Sequence, residues 1–177
     1  MNVVLIGMPG CGKSTVGVLL AKAMQLGFTD SDLLLQRRIG RSLQEYLSRN
    51  GLASFLRAEE ETLCALSEEE CVIATGGSAV YSDAGMMHLK QSAVTVYLAL
   101  PLASVEKRLT DIKTRGVALG KGQSIADLYG QRCPLYERYA DIIVDADGQS
   151  VEETVQAVWE RIRDFAAEKD GEGRRPV

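Results

Sequence analysis

Apolar residues recur along this chain in two rhythms. Apolar runs at 3–6, 71–74, 94–100, the third interrupted once by Thr95, and 142–144 have strand length and little polar alternation, as strands buried on both faces do, and a short stretch at 27–30 fits a fifth strand. Between them the apolar positions follow a helical period. Val16, Leu19, Leu20 and Ala23 share one helix face, and Leu52, Phe55, Leu56, Leu63 and Leu66 share another with Glu59 among them, while Glu60 and Glu61 turn to water. A third stripe, Ile125, Leu128, Tyr129, Leu135, Tyr136 and Tyr139, contains Arg132. Strands alternating with helices predict an α/β fold in three layers, a parallel sheet covered by helices on both faces.

Punctuation sharpens these elements. Ser42 with Glu45 and Ser150 with Glu153 read as S-x-x-E capping boxes, and Ser124 and Asp83 as N-caps. Residues 42–67 read as two short helices broken at Asn50-Gly51. The segment 111–123, with three glycines, two lysines and an arginine and no clear period, reads as a mobile lid. The charged, breaker-rich end at 167–177 is expected to fray, leaving one domain over 1–166.

Composition changes this picture mainly by exclusion. A length of 177 residues that is 46% hydrophobic suits one domain with a substantial core, so no second domain is needed. A net charge of -4 without a long basic run argues against nucleic-acid binding, which rests on clustered Lys and Arg. Cys11, Cys64, Cys71 and Cys133 form no C-x-x-C pair and read as reduced thiols, and His88 alone offers little for zinc; packing or surface is its expected place. No stretch approaches the ~20 apolar residues of a membrane span, and the apolar start lacks a basic leader, so a cytoplasmic protein with no membrane partner is expected.

The strongest chemical signal follows the first apolar run. Residues 7–14 read GMPGCGKS and match G-x-x-x-x-G-K-[ST] at every fixed position, between a strand and an amphipathic helix as the motif requires. A loop that wraps a polyphosphate must turn backbone N–H groups inward, and Gly7, Gly10 and Gly12 supply that freedom. Lys13 is placed to reach the β- and γ-phosphates and Ser14 to ligate Mg²⁺, while the helix behind directs its N-terminal dipole at the anion. Gly10, Cys11, Gly12, Lys13, Ser14 and Thr15 thus form the expected ATP-binding run, Cys11 at a free position that needs no side-chain chemistry.

Other candidates lie at strand ends and inside stripes. Asp30-Ser31-Asp32 follows the second strand, at the sheet edge where open α/β folds bind ligands. One carboxylate is suited to Mg²⁺ and the other to orienting an acceptor hydroxyl; the competing reading is that Ser31 or Asp32 caps the next helix. Glu59 and Arg132, each charged within an apolar stripe, either line a pocket or form a buried structural pair. Thr75-Gly76-Gly77-Ser78 either brings backbone N–H groups to a substrate or makes an ordinary turn.

Taken in order, the phosphate loop, Asp30-Ser31-Asp32, Glu59, Gly76-Gly77-Ser78, the lid arginine and Arg132-Cys133-Pro134-Leu135-Tyr136 resemble the shikimate kinases over about residues 2–165. The resemblance implies a P-loop NTPase of the nucleoside-monophosphate-kinase type with a five-stranded parallel sheet, transferring the ATP γ-phosphate to the 3-hydroxyl of shikimate. It implies Mg²⁺ held by Ser14 and, through water, Asp30, and Asp32 as base on the acceptor hydroxyl. It makes Lys13 and Arg115 the catalytic cations, Arg108 a stacking partner of adenine, and Asp32, Glu59, Gly77 and Arg132 the acceptor contacts. The implied partner is a small molecule, and a monomer is expected.

Three positions depart from the family pattern, all on the acceptor side. The family's F-R-x-x-E reads Phe55-Leu56-Arg57-Ala58-Glu59, so Leu56 replaces a carboxylate-binding arginine and Arg57 lies ~100° around the helix. Its G-G-G turn ends in Ser78, and its R-P-L-L lid reads Arg115-Gly116-Val117-Ala118. Losing one charged hydrogen bond to a carboxylate costs ~1.5–3 kcal/mol, one to two orders of magnitude in affinity. The alternatives are therefore a related kinase for another cyclitol, a hydroxy acid or homoserine, and a nucleotide-binding module without turnover. Retention of Lys13, Asp32 and Arg115 weighs against the last.

Overall fold

The computed structural model describes residues 1–110 and 122–172. β1 (Asn2–Ile6) leads through the phosphate loop into α1 (Lys13–Met24), and β2 (Gly27–Asp30) runs directly into α2 (Ser31–Ile39). Then come α3 (Leu43–Cys64), β3 (Cys71–Ala74), a single 3-10 turn at Ala79–Tyr81 and α4 (Asp83–Lys90). The last stretch carries β4 (Ala93–Ala99), α5 (Leu102–Thr110), α6 (Ile125–Tyr139), β5 (Ile142–Asp145) and α7 (Val151–Glu172).

The five strands form one parallel sheet in the order β2-β3-β1-β4-β5. β1 is central and buried along its whole length, with Val3 paired to Val72 on one side and to Val94 on the other. Asp30 pairs with Ala74, and Ala74 with Leu5, so the carboxyl ends of β2, β3 and β1 reach one edge together. That alignment brings the phosphate loop, the two aspartates and the Gly76-Gly77 turn within reach of one another. α1 lies close to the sheet because position 17 is glycine: a Cβ there would stand 2.7 Å from the Phe28 ring.

Most caps follow the sequence pattern. Ser42 accepts from the Glu45 N–H, and both halves of the box form at Ser150 with Glu153. Ser124 closes a full box with Asp127, a pairing the S-x-x-E pattern does not contain. Two positions differ. Ser82, not Asp83, caps α4, because its hydroxyl takes the Gly85 N–H at 2.9 Å and leaves Asp83 inside the first turn. Glu60 does not simply face water, since Ser82 Oγ donates to its Oε2 at 2.7 Å. α3 breaks at Gly51 (φ 78°, ψ 170°) as expected.

The lid expected at 111–123 lies outside the described residues except for its last two positions, and Arg115 lies outside them altogether. α7 continues to Glu172, into the segment expected to fray, with Lys169 Nζ 4.7 Å from the Phe165 ring centroid. Among the described residues no helix is long and apolar enough to cross a membrane. All four cysteines are free thiols, and His88 Nε2 sits 2.6 Å from the Leu66 carbonyl, a packing role.

Candidate active site

The phosphate loop is a backbone cradle closed by one amine. Lys13 Nζ donates to the carbonyls of Gly7 (2.8 Å) and Met8 (3.0 Å), and Gly12, at φ 100°, caps α1 in the left-handed region. Gly7 has two reasons to be glycine. Its φ is 145°, and a Cβ there would stand 2.7 Å from the Leu98 carbonyl oxygen. Across the loop, Arg108 of α5 donates to the Gly10 carbonyl at 3.4 Å, which places that cation at the phosphate loop.

The Asp30-Ser31-Asp32 segment divides its duties. Asp30 Oδ1 caps α2 by accepting from the N–H groups of Asp32 (2.9 Å) and Leu33 (3.3 Å), so the cap is Asp30 and neither Ser31 nor Asp32. Its other oxygen, Oδ2, accepts from Ser14 Oγ at 2.7 Å. A hydroxyl and a carboxylate oxygen side by side at a phosphate loop are the hard donors Mg²⁺ takes, with water completing its shell. Ser31 Oγ accepts from the Gly76 N–H at 3.1 Å and binds the second strand's end to the third's. Reading the sequence missed this bond, for which only a small hydroxyl between two aspartates gave any sign.

Asp32 and Glu59 converge over Gly76. A Cβ at that position would collide with Glu59 Oε1 and with Asp32 Oδ1, so glycine lets both carboxylates sit where they do. Glu59 is buried and its Oε1 has no hydrogen-bond partner among the described residues. Burial pushes its carboxyl up to about 7; Asp32 adds to the rise, while the Ser78 hydroxyl, Arg132 and Lys13 oppose it. Gly77 likewise admits close approach, since a Cβ there would lie 2.8 Å from Pro9 and 3.2 Å from Arg132 Nη1. Tyr136 donates to the Gly77 carbonyl at 2.6 Å.

One cleft joins the two halves. Gly10, Gly12, Lys13, Ser14 and Thr15 form its phosphate wall; Asp32, Gly77, Ser78 and Arg132 face them, with Leu43 and Phe55 as an apolar side. Leu56 is half-buried and Arg57 exposed, and both line a neighbouring hollow with Glu59, Glu60, Ser78 and Tyr81. Arg132 thus lines the cleft and Glu59 the neighbouring hollow, with Ser78 common to both.

A lysine-closed phosphate loop facing the Asp32 carboxylate and the Arg132 guanidinium across one cleft defines a P-loop phosphotransferase. Residues 9–163 match the family model described as shikimate kinase. A shikimate kinase of Pseudomonas paraeruginosa is 37% identical over 169 residues, covering 92% of this chain and 96% of that one. Among solved structures, the shikimate kinase of Acinetobacter baumannii in complex with shikimate superposes with a TM-score of 0.85 at 30% identity, covering 92% of this chain and 93% of that one. The shikimate kinase of Aquifex aeolicus superposes with a TM-score of 0.80 at 32% identity, covering 94% and 98%. The chain belongs to the shikimate kinase family, ATP-using phosphotransferases with an alcohol acceptor.

Proposed function

We propose that this chain transfers the γ-phosphate of Mg-ATP to the 3-hydroxyl of shikimate, a step toward aromatic amino acids in the cytoplasm, and that it works as a monomer. The observation that supports this most is the single cleft lined by the phosphate loop on one side and by Asp32, Gly77 and Arg132 on the other. Gly10 to Thr15 hold the phosphates, with Arg108 at the loop's outer side toward the base. Ser14 and Asp30 would hold Mg²⁺, which would neutralise phosphate charge. Arg132 takes the acceptor carboxylate, and Glu59 and the Gly77 backbone take its remaining polar groups. Asp32 accepts the hydroxyl proton as the oxygen attacks, and Lys13, with Arg115, stabilises charge on the moving phosphoryl group.

The test is ADP release coupled to an indicator, with Mg-ATP and shikimate, beside Asp32→Asn and a panel of cyclitols, hydroxy acids and homoserine. Efficient shikimate-dependent turnover that falls ~10²–10⁴-fold in Asp32→Asn is the expected result. Turnover with another panel member and none with shikimate would move the acceptor assignment, and ATP binding without turnover on any acceptor would leave a nucleotide-binding module.

A further inference from the structure

Arg132 is the largest of the almost completely buried side chains. A buried guanidinium is useful to a substrate only if its fork is held at one rotation, because its charge-assisted bonds are directional. Tyr81 holds it in two ways. Arg132 Nε donates to Tyr81 Oη at 3.2 Å, and Arg132 Cζ stands 5.1 Å from the centroid of the Tyr81 ring.

The hydroxyl is itself oriented. Tyr81 Oη donates toward Gln131 Oε1 at 3.4 Å, and Gln131 accepts from Gln123 at 2.8 Å, so the Tyr81 proton has a destination away from Arg132 and a lone pair is left for Nε. Tyr81 ends the 3-10 turn that follows Gly76-Gly77-Ser78, and Tyr136, one helical turn beyond Arg132, binds the Gly77 carbonyl. α6 is thereby fixed to that turn at two points, with Arg132 Nη1 close to Gly77. Tyr81 and Leu56 line the same hollow, so a neutral phenol braces the guanidinium on the side where the family pattern has a second arginine.

We propose that Tyr81 is a positioning residue that fixes the rotation of the Arg132 guanidinium toward the acceptor carboxylate, in a chain that has Leu56 where the family pattern has a second carboxylate-binding arginine. This rests on Arg132 as the acceptor contact. Tyr81→Phe keeps the ring and removes the oxygen; Tyr81→Ala removes both.

Steady-state kinetics with shikimate and Mg-ATP on these two variants, Arg132→Lys, and Tyr81→Phe combined with Arg132→Lys form the test. Tyr81→Phe is expected to raise the KM for shikimate about tenfold, the size of one charged hydrogen bond, with kcat, the KM for ATP and the Tm little changed. Tyr81→Ala is expected to raise it further, and Tyr81→Phe to add almost nothing once Arg132 is lysine. An unchanged KM in Tyr81→Phe beside a raised KM in Arg132→Lys overturns the positioning role alone. So does a fall in kcat with a lowered Tm and no change in KM. An unchanged KM in Arg132→Lys, or no shikimate turnover in the wild type, overturns the acceptor assignment beneath it.

Discussion

Glu59 lies out of water beside Asp32, Ser78, Arg132 and Lys13, and its native carboxyl titrates near 7 against 4.5 for an ordinary glutamate. The native state therefore holds this proton more tightly than the unfolded chain does. Stability from this residue is fully present below about 4.5 and is lost as pH rises through about 7, by ~3 kcal/mol across that window. Urea unfolding at pH 5 and pH 8 should show a decline in wild type that Glu59→Gln largely removes, leaving the variant the more stable of the two at pH 8. Equal slopes in the two proteins would mean that Glu59 is not desolvated in the native state. The role of Glu59 was half visible in the sequence, where a carboxylate broke an apolar stripe. Its meeting with Asp32 over Gly76 was not, because nothing local records that residues 32, 59 and 76 share a few ångströms. The same holds for Tyr81, whose contact with Arg132 spans 51 positions.

Helices and strands were more legible than contacts, for a reason that differs between them. β1, β3 and β4 are buried on both faces, so they appear as mostly apolar runs, broken only by Asn2 and Thr95, that need no tertiary knowledge to find. The start of α2 was ambiguous because three successive residues, Asp30, Ser31 and Asp32, are all good caps, and the Ser14 bond that fixes Asp30 in place comes from another element. The break in α3 was readable from Asn50-Gly51 and has a measurable cost of its own. Gly51 adopts φ 78° and ψ 170°, a region open to glycine alone, yet a Cβ there meets nothing within 4 Å. Gly51→Ala should therefore destabilise the protein by ~1–3 kcal/mol through backbone strain alone, instead of the ~1 kcal/mol gain alanine gives in a regular helix. Denaturant midpoints of the two proteins decide between these signs.

At the scale of the whole molecule the phosphate loop is continuous with the helices that cover the sheet. α7, which carries the single tryptophan, packs on α1, and α1 begins at Lys13 in the phosphate loop. Emission from Trp159 and far-UV circular dichroism should accordingly report one coincident unfolding transition. A non-hydrolysable ATP analogue with Mg²⁺ at ~100 times its Kd should raise unfolding free energy by ~2.7 kcal/mol, an increment that Lys13→Met greatly reduces. Two displaced transitions, or an equal increment in Lys13→Met, would contradict this coupling. The strand order carries a consequence in time as well. β2 follows β1 in the chain but lies beyond β3 in the sheet, so Asp30 at its end and Asp32 in the first turn of α2 have no fixed distance from the phosphate loop until residues 71–74 take their place between them. A chain leaving the ribosome has the whole GMPGCGKS motif and both aspartates early, and remains without the assembled cleft until the third strand is made.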